Sequence, residues 1–186
     1  MLLIDETGWL TTTVRVESPN QGERPPQCQP SLLVVHNISL PPAEYGGPWI
    51  DDLFCNRLDA SAHPYFSEIA GLRVSSHLLI RRDGAIRQYV PFDMSAWHAG
   101  ESCFEGRSCC NDFSIGIELE GCDNEPYELE QYRVLAKVTL AIQSRYPAIT
   151  ADRIVGHCDI APQRKTDPGP AFEWQSFRAM LCNETD

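Results

Sequence analysis

The sequence predicts an α/β fold, in which a single domain has a central mixed β-sheet flanked by helices. Three observations predict it. A short run at 31–36 is apolar on both faces, a segment at 113–121 alternates in polarity, and a segment at 128–146 has helical periodicity. Strands that alternate with helices, together with a hairpin in the middle of the chain, favour a mixed sheet over an all-α or an all-β design.

The first core strand is predicted at 31–36, SLLVVH, which ends at His36. Its two apolar faces are typical of a central strand that is covered on both sides. A second strand at 73–80 is expected to turn at Asp83-Gly84 and to return as a third strand at 85–90.

The segment at 113–121, FSIGIELEG, predicts a strand with two different faces. One face should enter the core and the other should carry small residues followed by acidic ones. The residues assigned to the core face are Phe113, Ile115, Ile117 and Leu119. The residues assigned to the other face are Ser114, Gly116, Glu118 and Glu120.

The most strongly patterned helix spans 128–146, with acidic residues in its first turn, Arg145 in its last turn and Pro147 as its stop. A short strand is expected at 152–157 and a closing helix at 172–181. Residues 1–30 are expected to be irregular, because 17–31 is polar and rich in proline. The prediction is therefore one domain over 1–186, with its core at about 31–182.

Composition and charge exclude several classes of protein. The formal charge of −11 argues against a nucleic-acid partner, which needs a basic face. No segment is apolar enough for a membrane span, and the first residues, with Asp5 and Glu6, do not form an export signal. We therefore expect a cytoplasmic monomer with reduced cysteines and a small-molecule substrate.

The segment HCDIAPQRKTDPGP, at 157–170, combines chemically active side chains in a stretch that its prolines keep from becoming helical. Lys165 and Asp167 are two positions apart and should point to the same side of an extended chain. His157 and His36 each end a predicted strand. If these strands share a sheet, two imidazoles and one carboxylate can meet at its edge.

Two histidines and an aspartate suit a catalytic zinc ion, because three protein ligands leave the fourth tetrahedral position open. The alternative is that each histidine is an ordinary hydrogen-bonded residue and that the aspartate forms a turn. Glu118 lies in mid-strand, where burial of a lone carboxylate is energetically costly. Beside a metal ion, Glu118 could act as a general base. Lys165 could stabilise an oxyanion. Their alternatives are an exposed edge-strand glutamate and a surface salt bridge.

Four blocks resemble, in order, the motifs of the zinc-dependent N-acetylmuramoyl-L-alanine amidases: LLVVHNIS, VSSHLLIRRDGAIRQYVPFDMSAWHAG, CNDFSIGIELEG and GHCDIAPQRKTDPGP. The resemblance implies the amidase type 2 fold, which is similar to that of peptidoglycan-recognition proteins. It implies His36, His157 and Asp167 as ligands of one Zn²⁺, and Glu118 and Lys165 as catalytic residues. Many relatives have cysteine as the third ligand, where this chain has Asp167.

Within that family the chain is most similar to members that act on 1,6-anhydro-muropeptides in cytoplasmic peptidoglycan recycling. The implied reaction is hydrolysis of the amide between the lactyl group of 1,6-anhydro-N-acetylmuramic acid and L-alanine. Arg73 and Arg107 are then expected to contact peptide carboxylates, as part of a cluster of arginines between 73 and 107. Asn37 is a candidate polar contact beside the metal, and Trp97 a candidate contact to the sugar.

Some features remain open. His77 and His98 are interpreted as structural residues or as supports for the ligands, and His63 has no assignment. Residues 44–75 form either a mobile lid or a static helical cover.

Two other functions remain open as well. Glu118 and Glu120 share a strand face and could be the carboxylate pair of a metal-independent glycosidase. The chain could also be a module that binds peptidoglycan without cutting it.

Overall fold

The computed structural model describes residues 2–183 and contains a six-stranded sheet, with the strand order β1-β5-β4-β9-β3-β10. The strands are β1 (Val14–Arg15), β2 (Gln21–Gly22), β3 (Leu32–Ile38), β4 (Leu78–Ile80), β5 (Ile86–Gln88), β6 (Ser95–Ala96), β7 (Cys103–Phe104), β8 (Arg107–Ser108), β9 (Ser114–Glu120) and β10 (Ile154–Gly156). The helices are α1 (Trp49–Phe54), α2 (Phe66–Ile69), α3 (Leu129–Arg145), α4 (His157–Ile160) and α5 (Trp174–Asn183).

The sheet is mixed, as predicted. Only the β4–β5 hairpin is antiparallel, and the other neighbouring strands of this sheet run parallel. Strands β2 and β6 form a separate antiparallel pair, and so do β7 and β8. Because β10, β3 and β9 are parallel neighbours, their carboxyl ends lie at the same edge of the sheet.

Strands β3 and β9 form the centre of the sheet, paired in register over seven residues with His36 opposite Glu118. All of β9 and the first five residues of β3 are buried, which confirms the two-sided covering expected of a central strand. One face packs on α3 and α5 through a large apolar cluster that includes Val35, Ile117 and Leu135. The alternate residues, among them His36 and Glu118, belong to the opposite face.

One face assignment in the segment predicted at 113–121 was wrong, that of Phe113. Phe113 precedes β9, and its backbone is not extended, with φ −131° and ψ 7°. Its ring packs with Leu32 and Val34 instead of joining Ile115 and Ile117. The alternation therefore holds only from Ser114, where the parallel pairing with β3 begins.

Helix α3 confirms the helix expected at 128–146. A reciprocal pair of hydrogen bonds between Glu128 and Gln131 caps its start, and it ends at Arg145, just before Tyr146 and Pro147. Three predicted strands are shorter than expected, among them the one at 85–90, of which Ile86–Gln88 is a strand. Only Leu78–Ile80 of the segment 73–80 is a strand, and β10 ends at Gly156, so that His157 begins α4.

The first 30 residues contribute more to the fold than their sequence indicates. β1 adds an edge strand to the main sheet, and Leu10 is fully buried in the main apolar cluster. The guanidinium of Arg24 donates hydrogen bonds to the backbone carbonyls of Phe92, Asn111, Asp112 and Ser114. The core thus begins well before residue 31, because these contacts are made with residues distant in the sequence.

Residues 44–75 contain α1 and α2 and cover one side of the sheet. Phe54 and Phe66 are buried with Leu79 and Tyr89, so this segment has apolar packing of its own. Between residues 2 and 183 there is no helix long and apolar enough to cross a membrane. The free thiols in the described part of the chain include those of Cys28, Cys55, Cys103, Cys109, Cys110, Cys122 and Cys158.

Candidate metal centre and cavity

Three side chains that the sequence nominated as metal ligands converge at the carboxyl edge of the sheet. Nδ1 of His36 lies 3.0 Å from Nδ1 of His157, and both nitrogens lie close to Oδ2 of Asp167, at 3.1 and 3.0 Å. The two imidazoles are buried and the carboxylate is half-buried. These three atoms could hold a metal ion.

The loop that carries Asp167 is held in place by its backbone. The carbonyl of Asp167 accepts a hydrogen bond from the amide of Cys158 at 2.9 Å. The next carbonyl, that of Pro168, accepts hydrogen bonds from Tyr127 Oη and from Asn37 Nδ2. The segment between α4 and α5 therefore brings Asp167 next to His157, which lies ten residues earlier in the sequence.

The geometry fits zinc. Ligand bonds of about 2.0–2.1 Å in a tetrahedral site place neighbouring ligand atoms about 3.3 Å apart, close to the 3.0–3.1 Å separations seen here. Three electron-pair donors this close repel one another unless a proton or a cation lies between them. Two imidazoles and a carboxylate are ligands that zinc accepts, and they leave one position for another molecule.

Glu118 lies beside this group in an unusual environment. Its carboxylate is buried, and its Oε2 has no hydrogen-bond partner among the described residues. Burial, reinforced by the charge of Asp167, raises the pKa of Glu118 well above its ordinary value, and the charge of Lys165 opposes the increase. An unpartnered buried carboxyl group is suited to proton transfer.

A cavity of about 640 Å³ opens over the group, and its lining includes Glu118 and Lys165. Lys165 is half-buried. The apolar part of the lining comes mainly from the covering segment, through Leu53, Phe54, Tyr65, Ile69 and Leu72. The cavity therefore combines an apolar wall with a small polar centre, as is common in small-molecule sites.

The predicted substrate contacts are distributed unevenly. Asn37 and Trp97 line the cavity, and 39% of Trp97 is exposed at its mouth. Arg73 and Arg107 are not among the lining residues. The guanidinium of Arg73 contacts the carbonyls of Gly71 and Leu72, and that of Arg107 lies over the ring of Phe113.

Several cavity residues were missed by the sequence reasoning. Arg164, Asp123 and Asn124 all line the cavity. Arg164 directly precedes Lys165 in the sequence, and this position could have indicated that Arg164 lies at the site. Nothing local marked Asp123, whose Oδ1 accepts a hydrogen bond from the amide of Asn37 at 2.8 Å.

The arginines expected to form an anion-binding cluster are used elsewhere. Arg81 is buried and donates to Glu120 Oε1 at 3.0 Å, and Arg87 lies 3.3 Å from Asp51. Arg82 pairs with Glu128 at 2.7 Å. The backbone amide of Gly46 also donates to Glu120. Glu120 is thus paired in the interior and does not line the cavity, so a Glu118–Glu120 catalytic pair has no structural support.

We expect Glu120→Gln to lower stability but to preserve activity per folded molecule within a few-fold. Weakening the buried pair with Arg81 should cost about 2 kcal/mol, which corresponds to a decrease in Tm of about 4–8 °C for a domain of this size. Thermal unfolding and amide-hydrolysis assays would measure both. A loss of hydrolysis as large as that of a Glu118 variant would instead support a catalytic pair of Glu118 and Glu120.

The other histidines differ in their surroundings. Nδ1 of His77 accepts from the amide of Gly116 at 3.0 Å, and Nε2 of His98 lies 3.0 Å from Ser114 Oγ. His63 Nδ1 accepts from the amide of Tyr65. These contacts agree with structural or supporting roles for His77 and His98.

Stability of the metal-free protein should fall in mild acid. Burial lowers the pKa of His77 to about 3 and that of His36 to about 4, below the value of about 6.5 in an unfolded chain. The unfolded state therefore binds more protons below pH 6.5. The stabilisation is complete above that pH and declines progressively towards pH 4.

For His77 alone the loss should be about 3 kcal/mol between pH 6.5 and 4. Denaturant unfolding over this range would measure it, with His77→Asn as the control, because its Oδ1 can replace Nδ1 as an acceptor without titrating. Identical pH profiles for the two proteins would contradict the assignment.

Comparison with known proteins places these features in context. A family model described as N-acetylmuramoyl-L-alanine amidase matches residues 26–170. The 1,6-anhydro-N-acetylmuramyl-L-alanine amidase AmpD of Citrobacter freundii is 63% identical over 180 residues, which cover 97% of this chain and 95% of the relative.

Two solved structures extend the comparison. A crystal structure of a selenomethionine derivative of AmpD has a TM-score of 0.94 at 62% identity and covers 97% of this chain and 99% of its own. The amidase AmiD from Escherichia coli, in complex with anhydro-N-acetylmuramic acid-L-Ala-D-γ-Glu-L-Lys, has a TM-score of 0.59 at 29% identity. That match covers 96% of this chain and 65% of the AmiD chain.

Proposed function

The chain belongs to the N-acetylmuramoyl-L-alanine amidase family, and on that basis we propose that it is a zinc-dependent amidase of muropeptides. The bond cleaved is the amide between the lactyl group of 1,6-anhydro-N-acetylmuramic acid and L-alanine. The observation that carries the proposal is the group of His36, His157 and Asp167 beside the unpartnered carboxyl of Glu118, within one cavity. The substrate follows from similarity to AmpD across nearly the whole chain.

The chemistry can be assigned to residues of this chain. His36, His157 and Asp167 would hold a zinc ion, which would supply the Lewis acidity needed to acidify a water molecule and to polarise a carbonyl. Glu118 accepts the proton of the attacking water and holds it on its buried carboxylate. It then donates this proton to the nitrogen of L-alanine as the C–N bond breaks, so that the products are a free peptide and the anhydro-sugar acid.

Lys165 has the complementary electrostatic role. Its charge already acts on Glu118, as the opposing effect on the pKa of that carboxyl indicates. An ammonium group in the lining of the cavity can stabilise the oxyanion that develops on the lactyl carbonyl oxygen. The ion pair expected if Lys165 were only a surface residue is not among the salt bridges of the described part of the chain.

Substrate contacts follow from the cavity. Trp97 and the apolar wall offer a surface for the sugar, and Asn37 offers its amide oxygen, because its amide nitrogen is bonded to Asp123 and Pro168. Arg73 and Arg107 remain proposed contacts for peptide carboxylates, and they require the stem peptide to extend beyond the cavity. We place this reaction in cytoplasmic peptidoglycan recycling, with a monomer as the active form.

The test is mass spectrometry of the protein incubated with anhydro-muramyl tripeptide. Untreated, chelator-stripped and zinc-restored samples are compared. We expect free tripeptide to be released, release to stop on chelation, and zinc to restore it. Cleavage indifferent to zinc would exclude the proposed metal site, whereas binding of the muropeptide without any cleavage would favour a recognition module.

A further inference from the structure

The two histidines of the metal group share one supporting segment on the side away from Asp167. Nε2 of His36 lies 2.8 Å from Nδ1 of His98. Nε2 of His157 lies 3.1 Å from the carbonyl oxygen of Ala99, the residue that follows His98. A single dipeptide therefore contacts the outer nitrogen of both imidazoles.

The hydrogen-bond chain behind His36 determines where its proton lies. Ser114 Oγ donates to the carbonyl of Cys110 at 2.6 Å, so this oxygen accepts from Nε2–H of His98 at 3.0 Å. Nδ1 of neutral His98 is then an acceptor, and the hydrogen between the two rings must belong to Nε2 of His36. Nδ1 of His36 is left with a free electron pair that faces Asp167 and His157.

The contact behind His157 leads to the same tautomer. A backbone carbonyl can only accept, so the Ala99 oxygen requires a proton on Nε2 of His157. Its Nδ1 then also carries a free electron pair. Both rings thus present Nδ1 to the same point, although the chain supports them through two different kinds of acceptor.

The supporting dipeptide is itself fixed by one side chain. Oδ1 of Asn111 accepts hydrogen bonds from the backbone amides of His98 and Ala99, at 3.1 and 2.8 Å. Gly116 provides the space for the His98 ring, since a Cβ at this position would lie 2.5 Å from Cγ of His98. None of these groups is among the three atoms that could hold the ion.

We propose that His98 and Asn111 are positioning residues of the metal site: the 98–99 dipeptide, held by Asn111 and Ser114, fixes both histidine ligands in the tautomer that directs Nδ1 towards the metal. The inference rests on the proposed zinc binding and deepens it. Partners of this kind raise the basicity of a ligand and orient its ring, and their loss commonly weakens metal affinity about 10- to 100-fold.

Asn111 offers a matched pair of variants. Asn111→Asp keeps an Oδ1 acceptor for the amides of His98 and Ala99, whereas Asn111→Ala removes it. We expect Asn111→Ala to bind zinc about 10- to 100-fold more weakly than wild type in competition with a chromophoric chelator, and Asn111→Asp to remain within a few-fold. His98→Phe, which keeps a ring but removes the acceptor, should weaken zinc binding to a similar extent.

A spectroscopic measurement on the wild-type protein makes the test independent of variant folding. In the ¹⁵N-labelled zinc-loaded protein, the ring proton of His36 should reside on Nε2 and show coupling across the hydrogen bond to Nδ1 of His98. A proton on Nδ1 of His36, or zinc affinities that are equal in wild type, Asn111→Ala and His98→Phe, would overturn the inference. Failure of wild type to bind zinc would instead overturn the proposed function.

Discussion

Glu118→Gln should lower kcat about 100- to 10,000-fold, the range over which general acid–base catalysis acts. Glutamine has nearly the same shape as glutamate, so packing at this buried position is retained while the carboxylate proposed to accept and return the proton is lost. Bound zinc should remain at one per chain and KM should change little. Steady-state hydrolysis of an anhydro-muramyl peptide, together with metal analysis, would measure these quantities.

This position has a natural comparison two residues along the same strand. Glu120 is also buried, but Arg81 and the amide of Gly46 satisfy its carboxylate, while Oε2 of Glu118 has no hydrogen-bond partner between residues 2 and 183. The pair Glu118→Gln and Glu120→Gln therefore separates loss of catalysis from loss of a buried charge. If Glu118→Gln kept more than about a tenth of wild-type kcat, Glu118 would not be the general acid–base group.

His157→Ala should release the metal and abolish hydrolysis together. Loss of a hydrogen-bond partner of a metal ligand costs about 10- to 100-fold in affinity, so loss of a ligand itself should cost at least about 100-fold. His36 and Asp167 would remain as an incomplete pair. Zinc content after dialysis against a weak chelator and the rate of tripeptide release would be measured on the same sample.

The control for this variant is His63→Ala, because His63 lies outside the metal group: its ring accepts a hydrogen bond from the amide of Tyr65 and lies 5.3 Å from the ring of Phe66. It should retain one zinc per chain. If His157→Ala retained zinc at full affinity, His157 would not be a ligand. Another donor in the cavity would then be required, and Cys122 and Asp123 are residues of the lining that can bind a metal ion.

Both predictions depend on the candidate metal site. Its residues could be proposed from the sequence, but its geometry could not. The ends of the two parallel strands and the motif that contains Asp167 placed His36, His157 and Asp167 together as a hypothesis, and the structure brings their ligand atoms within about 3 Å of one another. Their support by Ala99 and His98 was not foreseen in detail, because it depends on the path of the loop between β6 and β7.

Local periodicity by itself determined the mixed sheet, the central position of β3 and helix α3, since spacing of apolar residues reflects which face of an element is buried. The family motifs added the identity of the site. Tertiary structure alone decided how the two buried carboxylates of β9 are partnered. Glu118 and Glu120 lie on the same strand face and have the same chemistry, but Arg81 and the amides of Gly46 and Arg82 donate hydrogen bonds to Glu120, whereas the charges of Asp167 and Lys165 act on Glu118.

Tertiary structure also decided the place of the first 30 residues and of the arginines between 73 and 107. Arg24 donates hydrogen bonds to backbone carbonyls about 70 to 90 positions away in the sequence, and Arg81 forms a buried ion pair with Glu120. The physical reason is common to both cases. A sequence pattern records whether a side chain prefers burial, whereas hydrogen bonds and ion pairs depend on which distant groups the folded chain brings within about 3 Å.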